Sequence, residues 1–559
     1  MSILLAAVIC AVSASPLTRT VVGPTDCVSE NVEGAHLLLQ QRWGQVAEGE
    51  FLQGSGAMLA TNGWMVLDYG RELHGNLVLG CGAKSGHDAK VHVRFGESKS
   101  EALASLGERG ACNDHAIRDD VISLPWYGKR EIGSTGFRFV YLANAGREPL
   151  QIEFANAVSI MRDMKRIGSF RCSDERVNRI FDTAVRTAHL CCQDYLWDGI
   201  KRDRLVWIGD FHPELATIGA VFGGDAVLRD SLQYAIKTTP LDGWMNTMPT
   251  YTCWFMRDVF GYYMISDDDV FCRENLPYLK ATAKKLAEQV GPDGEYLLPG
   301  TFLDWPTKHD PEAEKAGARA LLAITLDECA YLMEVFHERI VAAECRAAAA
   351  RLRVISPDPH GRKTSAALLA LGRFAEPKRM FDEYLGKNGC DGVSTFYGYY
   401  VLEAMSAAGE NRRALDTVRD YWGGMLDMGA TSFWEDFNLA WTNNAFRIDQ
   451  MPMKDKKDIH GDYGDFCYVG FRHSLCHGWS SGPAAWLINH VLGLRIVEPG
   501  GSVVECSPDL AGLEWAEGSI ATRFGPVHVS VRKDAAGKTE FDVGAPAGVT
   551  VRRVPSCPR

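Results

Sequence analysis

The sequence shows no excess of positive charge: Lys and Arg number 59 against 71 Asp and Glu, a formal net charge of −12. A chain balanced this way lacks the basic face that a phosphate backbone demands, so no nucleic-acid partner is expected. Cys-x-x-Cys pairs are missing as well. The 16 cysteines fall at irregular spacings, with one adjacent pair at Cys191 and Cys192, and they indicate scattered reduced thiols rather than a structural zinc site or a disulfide framework. His-Glu-x-x-His and Walker-type loops are absent, which leaves zinc-peptidase and nucleotide-hydrolase readings without a motif. No apolar run is long enough to span a bilayer as a helix. The run 3–14 has the length of a signal-peptide core, with Val12-Ser13-Ala14 as a cleavage site, although no Lys or Arg precedes it. It favours a secreted or periplasmic location over a cytoplasmic one.

What the chain does have is material for large cores. It is 46% hydrophobic over 559 residues, a length that suggests roughly two to four domains. Its 14 Trp and 18 Tyr offer flat faces to sugar rings, although most such aromatics fill cores. Residues 1–19 read as a signal peptide or disordered start. Residues 20–168 alternate with period two, as in 91–95 and 137–142, between Gly-rich turns, which predicts an antiparallel β-sandwich. At Ser173-Asp174-Glu175 the pattern becomes a helix start, with a capping hydroxyl and acids in the first turn. Val177, Ile180, Phe181, Ala184, Ala188 and Cys191 then recur at helical spacing, and further helical stretches include 321–340, 341–353, 394–408 and 412–428. Short loops between paired helices predict a closed α/α toroid over 169–495. Alternation returns in 496–559, with a strand at 527–531, a turn at 534–537 and a return strand at 539–543. So short a β domain is expected to pack on the helical body. The fold class is mainly α, with flanking β domains.

Residues 194–214 read DYLWDGIKRDRLVWIGDFHPE. A run of charge is ordinarily a solvated loop. Here Trp197, Leu205, Val206, Trp207 and Ile208 interleave with five acids and three basic residues, which points to a partly buried, charge-lined cleft.

The same stretch resembles the signature of the α-L-rhamnosidases, glycoside hydrolase family 78, whose pattern runs Asp-Cys-Pro-x-x-Glu-Arg-Leu-x-Trp-x-Gly-Asp; here it spans Asp198 to Asp210. Asp304-Trp305 in FLDWPT is similar to the family's Gly-Asp-Trp stretch, Thr431 to Glu435 to its Thr-Thr-Phe-Trp-Glu, and Ser474 to His477 with the following Gly478 to Trp486 to its Ser-x-x-His block. LDYGRELHGN and TGFRFVYL in the N-terminal region resemble the β domain that precedes the family's barrel. The likeness implies an (α/α)6 barrel and an exo-acting hydrolase that releases terminal α-L-rhamnose, or a related deoxy-sugar, with inversion. It places the general acid on Asp203 and the general base on Glu435. Asp198, Asp210 and Asp304 would accept from sugar hydroxyls, Trp207, Trp305 and Trp434 would form an apolar wall, and His477 would bind the sugar or poise the base. A carbohydrate is the implied partner; no cofactor or metal is implied.

The chain departs from the family in three places. Asp203 stands where Glu is usual, which keeps Asp210 and Glu214 open as acids. Gly199-Ile200 replaces Cys-Pro, and 438–472 is an insertion that offers a lid or a leaving-group subsite. An acid must keep its proton near neutral pH, so Arg202 and Arg204 are expected to turn outward or to pair with Asp198 and Asp210, leaving Asp203 against Trp207. Two other classes stay open: a helical-toroid lyase or epimerase using Tyr463, Tyr468, His473 and His477, and a non-catalytic sugar-binding protein.

Overall fold

The structure is a computed structural model that describes residues 16–40, 56–82, 85, 89–126, 128–534 and 537–554. The apolar run 3–14 and the cleavage site expected there therefore lie outside the described residues, whereas the end of the segment 1–19 falls in strand Leu17–Val22, which pairs with Leu150–Arg162. A helical body is flanked by sheet-rich N- and C-terminal regions. Among the described residues no helix is long and apolar enough to cross a membrane, and the cysteines are free thiols.

The N-terminal strands form a seven-stranded sheet centred on the long strand Ala57–Cys81, which pairs with Gly128–Asn144, Leu150–Arg162 and Asp26–Glu33. The alternating segments fall where period two put them: 91–95 lies in Lys90–Gly96 and 137–142 in Gly128–Asn144. Their inward residues, among them Leu67, Val91, Phe95 and Phe137, build a core of their own. The C-terminal strands do otherwise. Val527, Val529 and Val531 join the same continuous core as the helices, as a sheet too small to seal itself must. Strand Ser169–Cys172, at the entrance to the helical region, pairs with Trp515–Thr522 of that C-terminal sheet.

The first helix of the body, Glu175–Cys191, is capped by Asp174, whose carboxylate accepts from the amides of Arg176 and Val177. The carboxylate does the capping expected of the Ser173 hydroxyl. The stretch 321–340 runs across two helices: a helix that begins earlier, Pro311–Val335, with Asp310 capping and Pro at its first turn, and the start of Arg339–Leu352. The stretch 412–428 is broken into Asn411–Thr417, a π turn and Gly423–Asp427. Periodicity finds apolar faces, but such breaks depend on neighbours packed against them.

The β region is locked onto the helical body by the motifs that raised the family likeness. Arg138 of TGFRFVYL grips Asp68 through two hydrogen bonds of 2.8 and 2.9 Å and donates to the Gly429 carbonyl at 3.0 Å. The Glu72 amide donates to Thr431 Oγ1 at 2.8 Å. Both contacts end beside the segment that carries Glu435.

Candidate active site

Three chain segments cross to make the site. Residues 432–435 run beside 474–477: the Glu435 amide donates to the Ser474 carbonyl (3.0 Å), the His477 amide to that of Phe433 (2.9 Å), and Ser432 Oγ to that of Leu475 (2.8 Å). The loop 198–210 closes on them through a bridge between Gly199 and His477 and a 2.7 Å bond from the Gly478 amide to the Asp198 carbonyl. Glu435, Asp198, Asp210 and His477, far apart in sequence, are thereby gathered and buried together.

Glu435 is held from every side. Its Oε2 accepts from the Ser474 amide at 3.0 Å, Oε1 is ion-paired with Arg202, and His477 Nδ1 lies 3.8 Å from Oε1. Burial by itself would raise its pKa, but Arg202, then His477 and His473, outweigh burial and bring it down to about 2. It is an anion at neutral pH. His477 is its counterpart: burial disfavours the cation, yet Glu435, Asp210 and Asp198 push its pKa up to about 9. Asp210 receives His477 Nε2 at 3.2 Å and the Tyr251 hydroxyl at 2.9 Å, and burial raises its pKa against those bonds. Asp198 accepts from the Leu205 amide at 2.9 Å, and burial keeps its carboxyl well above the usual range. Glu214 is buried and likewise raised by burial.

Asp203 lies on the other side of Arg202. Arg202 Nη1 is 3.4 Å from Asp203 Oδ1, Trp207 Nε1 donates to Oδ2 at 3.2 Å, and His115 Nε2, from the N-terminal region, is 3.3 Å from Oδ1. Asp203 and Arg204 are consecutive non-glycine residues with left-handed φ of 55° and 54°. That conformation costs about 1–3 kcal/mol per residue and persists where the surroundings enforce it. Arg204 supplies the enforcement by donating to the carbonyls of Ser134 (2.9 Å) and His115.

The expectation for the arginines is only half met. Arg204 does leave Asp203 free, but it binds backbone carbonyls rather than Asp198 or Asp210. Arg202 turns inward, between Asp203 and Glu435, because the buried Glu435 carboxylate requires a cation. Trp207 is against Asp203 as expected.

A narrow cavity of about 20 Å³ opens over Glu435, lined by Asp304, Trp305, Ser394, Phe396, Asp436, Phe466, Tyr468 and Trp479 among others. Phe396 and Trp479 stack in parallel at 4.9 Å, and Trp305 packs on Phe466 at 5.3 Å. Asp304 is already engaged: Thr307 N, Thr364 Oγ1 and Ser394 Oγ donate to it at 3.0, 3.2 and 3.0 Å. Trp434 is fully buried against Phe437, its indole N–H without a partner, and is not among the lining side chains. Phe466 and Tyr468 come from the insertion, whose His460 is buried and bonded to Ser98 and His473.

Several site groups escaped sequence reasoning: Phe396, Asp436, Trp479, His115 and the Ser474 amide. Asp436 had one visible signal, its place directly after Glu435. Burial pushes its pKa up to about 7. Of the lyase set, Tyr463 stacks on Trp441 at 5.2 Å and His473 Nε2 accepts the Asp436 amide at 2.9 Å. Gly478 to Gly482 has the Gly-x-Ser-x-Gly spacing, but Ser480 is buried in a 3-10 turn with its hydroxyl on the His477 carbonyl at 2.7 Å. It is no strand-to-helix nucleophile elbow.

Residues 165–354 match the family model described as the bacterial alpha-L-rhamnosidase 6 hairpin glycosidase domain. Solved structures of similar fold include rhamnosidases. A Bacillus sp. GL1 family 78 rhamnosidase is 20% identical with a TM-score of 0.71, over 90% of this chain and 54% of that one. A Klebsiella oxytoca rhamnosidase with rhamnose bound is 21% identical with a TM-score of 0.66, over 85% and 96%. An Aspergillus terreus α-L-rhamnosidase is 17% identical with a TM-score of 0.69, over 89% and 62%. This chain spans about half the length of the Bacillus relative. No curated protein matches it.

Proposed function

We propose that the chain is an exo-acting glycoside hydrolase that releases terminal α-L-rhamnose, or a related deoxy-sugar, with inversion, and that its helices close into an (α/α)6 toroid behind an N-terminal β-sandwich. The observation that carries this is Glu435, an ionised carboxylate aimed by the Ser474 amide into an aromatic cavity, with Asp203 on the far side of one shared guanidinium. Inversion uses carboxyls roughly 6.5–9.5 Å apart, one protonating the leaving oxygen and one activating water; here Arg202 contacts both carboxylates from between them. Glu435 takes a proton from water as its oxygen bonds to the anomeric carbon. Asp203 gives its proton to the departing oxygen. Asp198, Asp210 and His477 would hold hydroxyls, Trp207 and Trp305 with Asp304 would bound the sugar, and the fully buried Trp434 would back that wall. Phe466 and Tyr468, which line the cavity, support a lid or leaving-group role for the insertion.

A second reading gives the acid role to Asp436, which lines the same cavity and stays protonated up to about pH 7. Hydrolysis of an aryl α-L-rhamnoside by wild type, Asp203→Asn, Asp436→Asn and Glu435→Gln separates the two, with the product anomer read by NMR. Loss in Asp203→Asn supports the first assignment, and loss confined to Asp436→Asn and Glu435→Gln supports the second. An unsaturated product absorbing in the ultraviolet would mean a lyase instead.

A further inference from the structure

A second buried charge cluster lies where the N-terminal sheet region meets the site. Glu97 and Glu101 follow strand Lys90–Gly96, and both are buried with Lys201, Arg118 and His460. Glu97, Glu101 and His460 have the donor set of a metal site. The cation is already present, however, as Lys201 Nζ, 2.8 Å from Glu101 and 3.3 Å from Glu97. Both His460 nitrogens are also engaged, with Ser98 Oγ at 2.8 Å and the His473 carbonyl at 2.9 Å.

What the cluster reaches is the segment that aims Glu435. Glu97 Oε2 accepts the Leu475 amide at 2.6 Å, and Oε1 lies 3.4 Å from the Ser474 hydroxyl, which also reaches the Cys476 carbonyl at 3.1 Å. Lys201, next to Arg202 in the chain, donates to the carbonyls of Phe471 and His473 at 2.6 and 2.8 Å. Ser474 in turn presents its amide to Glu435 Oε2.

We propose that Glu97, a residue of the N-terminal sheet region, is a positioning residue for Glu435: it clamps Ser474 and Leu475 so that the Ser474 amide fixes the carboxylate. The inference rests on the hydrolytic reading above. It makes the sheet region part of the catalytic machinery, because a carboxylate that drifts by an ångström loses its alignment with water. The clamp acts on geometry, so it alters turnover rather than sugar affinity.

The test is Glu97→Gln, which keeps the shape and puts an amide NH2 in place of one of the two acceptor oxygens. With an aryl α-L-rhamnoside, kcat is expected to fall about 10- to 100-fold while KM stays within about threefold, and a crystal structure should show Glu435 displaced from the Ser474 amide. A folded variant with wild-type kcat and Glu435 in place overturns the proposal, as does an equal loss of kcat and binding with Glu435 unmoved. If Glu97→Gln does not fold, Ser474→Ala carries the test, removing one arm of the clamp: a kcat loss of about two- to tenfold is expected, and no loss overturns it. An inactive wild type would sink the hydrolytic reading instead, and the position of Glu435 in the variant crystals would still decide the clamp.

Discussion

Asp203 and Glu435 are held by opposite means. Glu435 sits in a buried pairing of two segments, its charge set by fixed neighbours. Asp203 sits on a left-handed loop at the border with the sheet region, its side chain 22% exposed and its position enforced by Arg204 and His115. The contrast fits the two tasks in a hydrolase. A base must stay charged and aimed, whereas an acid must exchange its proton with solvent in every cycle.

The largest effect expected from breaking the comparison is at the carboxylates. Glu435→Gln and Asp203→Asn should each lower kcat by about 10²- to 10⁴-fold, measured with an aryl α-L-rhamnoside; undiminished activity in both would mean that neither carboxylate takes part in the chemistry. Arg202→Met removes the cation that holds Glu435 down to about pH 2. The acid limb of the kcat/KM profile should then move up by at least about one pH unit, and an unmoved limb would mean that Glu435 is not the group it reports.

His477 tests the buried side through stability. Its pKa is raised from 6.5 to about 9 in the fold, so its contribution is fully present below pH 6.5 and lost as pH rises through about 9. Wild type should exceed His477→Gln by on the order of 3 kcal/mol at pH 6, with the gap closing by pH 10 in urea unfolding. A gap independent of pH would refute the charged state. The smallest effect belongs to Trp434→Phe. Its buried indole N–H has no partner, so losing it offsets part of the lost packing, and a cost of about 1 kcal/mol with KM unchanged is expected. A large rise in KM would put Trp434 on the sugar after all.

Much was legible in the sequence because it is local. Alternation in 91–95 and 527–531 names strands, and the acid-rich start at Asp174 names a helix. The motif around Asp203 announces a charged cleft, since charges interleaved with Trp207 and Ile208 are too costly for open solvent. The direction of Arg202 was not legible. Its neighbours in sequence are Lys201 and Asp203, but its main partner is Glu435, contributed by a segment more than two hundred residues on.

The sequence by itself determined which segments are strands and helices and which residue types the site would contain, because periodicity and side-chain chemistry are properties of the chain. Only tertiary structure decided which oxygen faces which donor. Burial and the sum of distant charges leave Glu435 an anion, His477 a cation and the Asp436 carboxyl raised to about 7, and neither can be read until the chain has closed on itself.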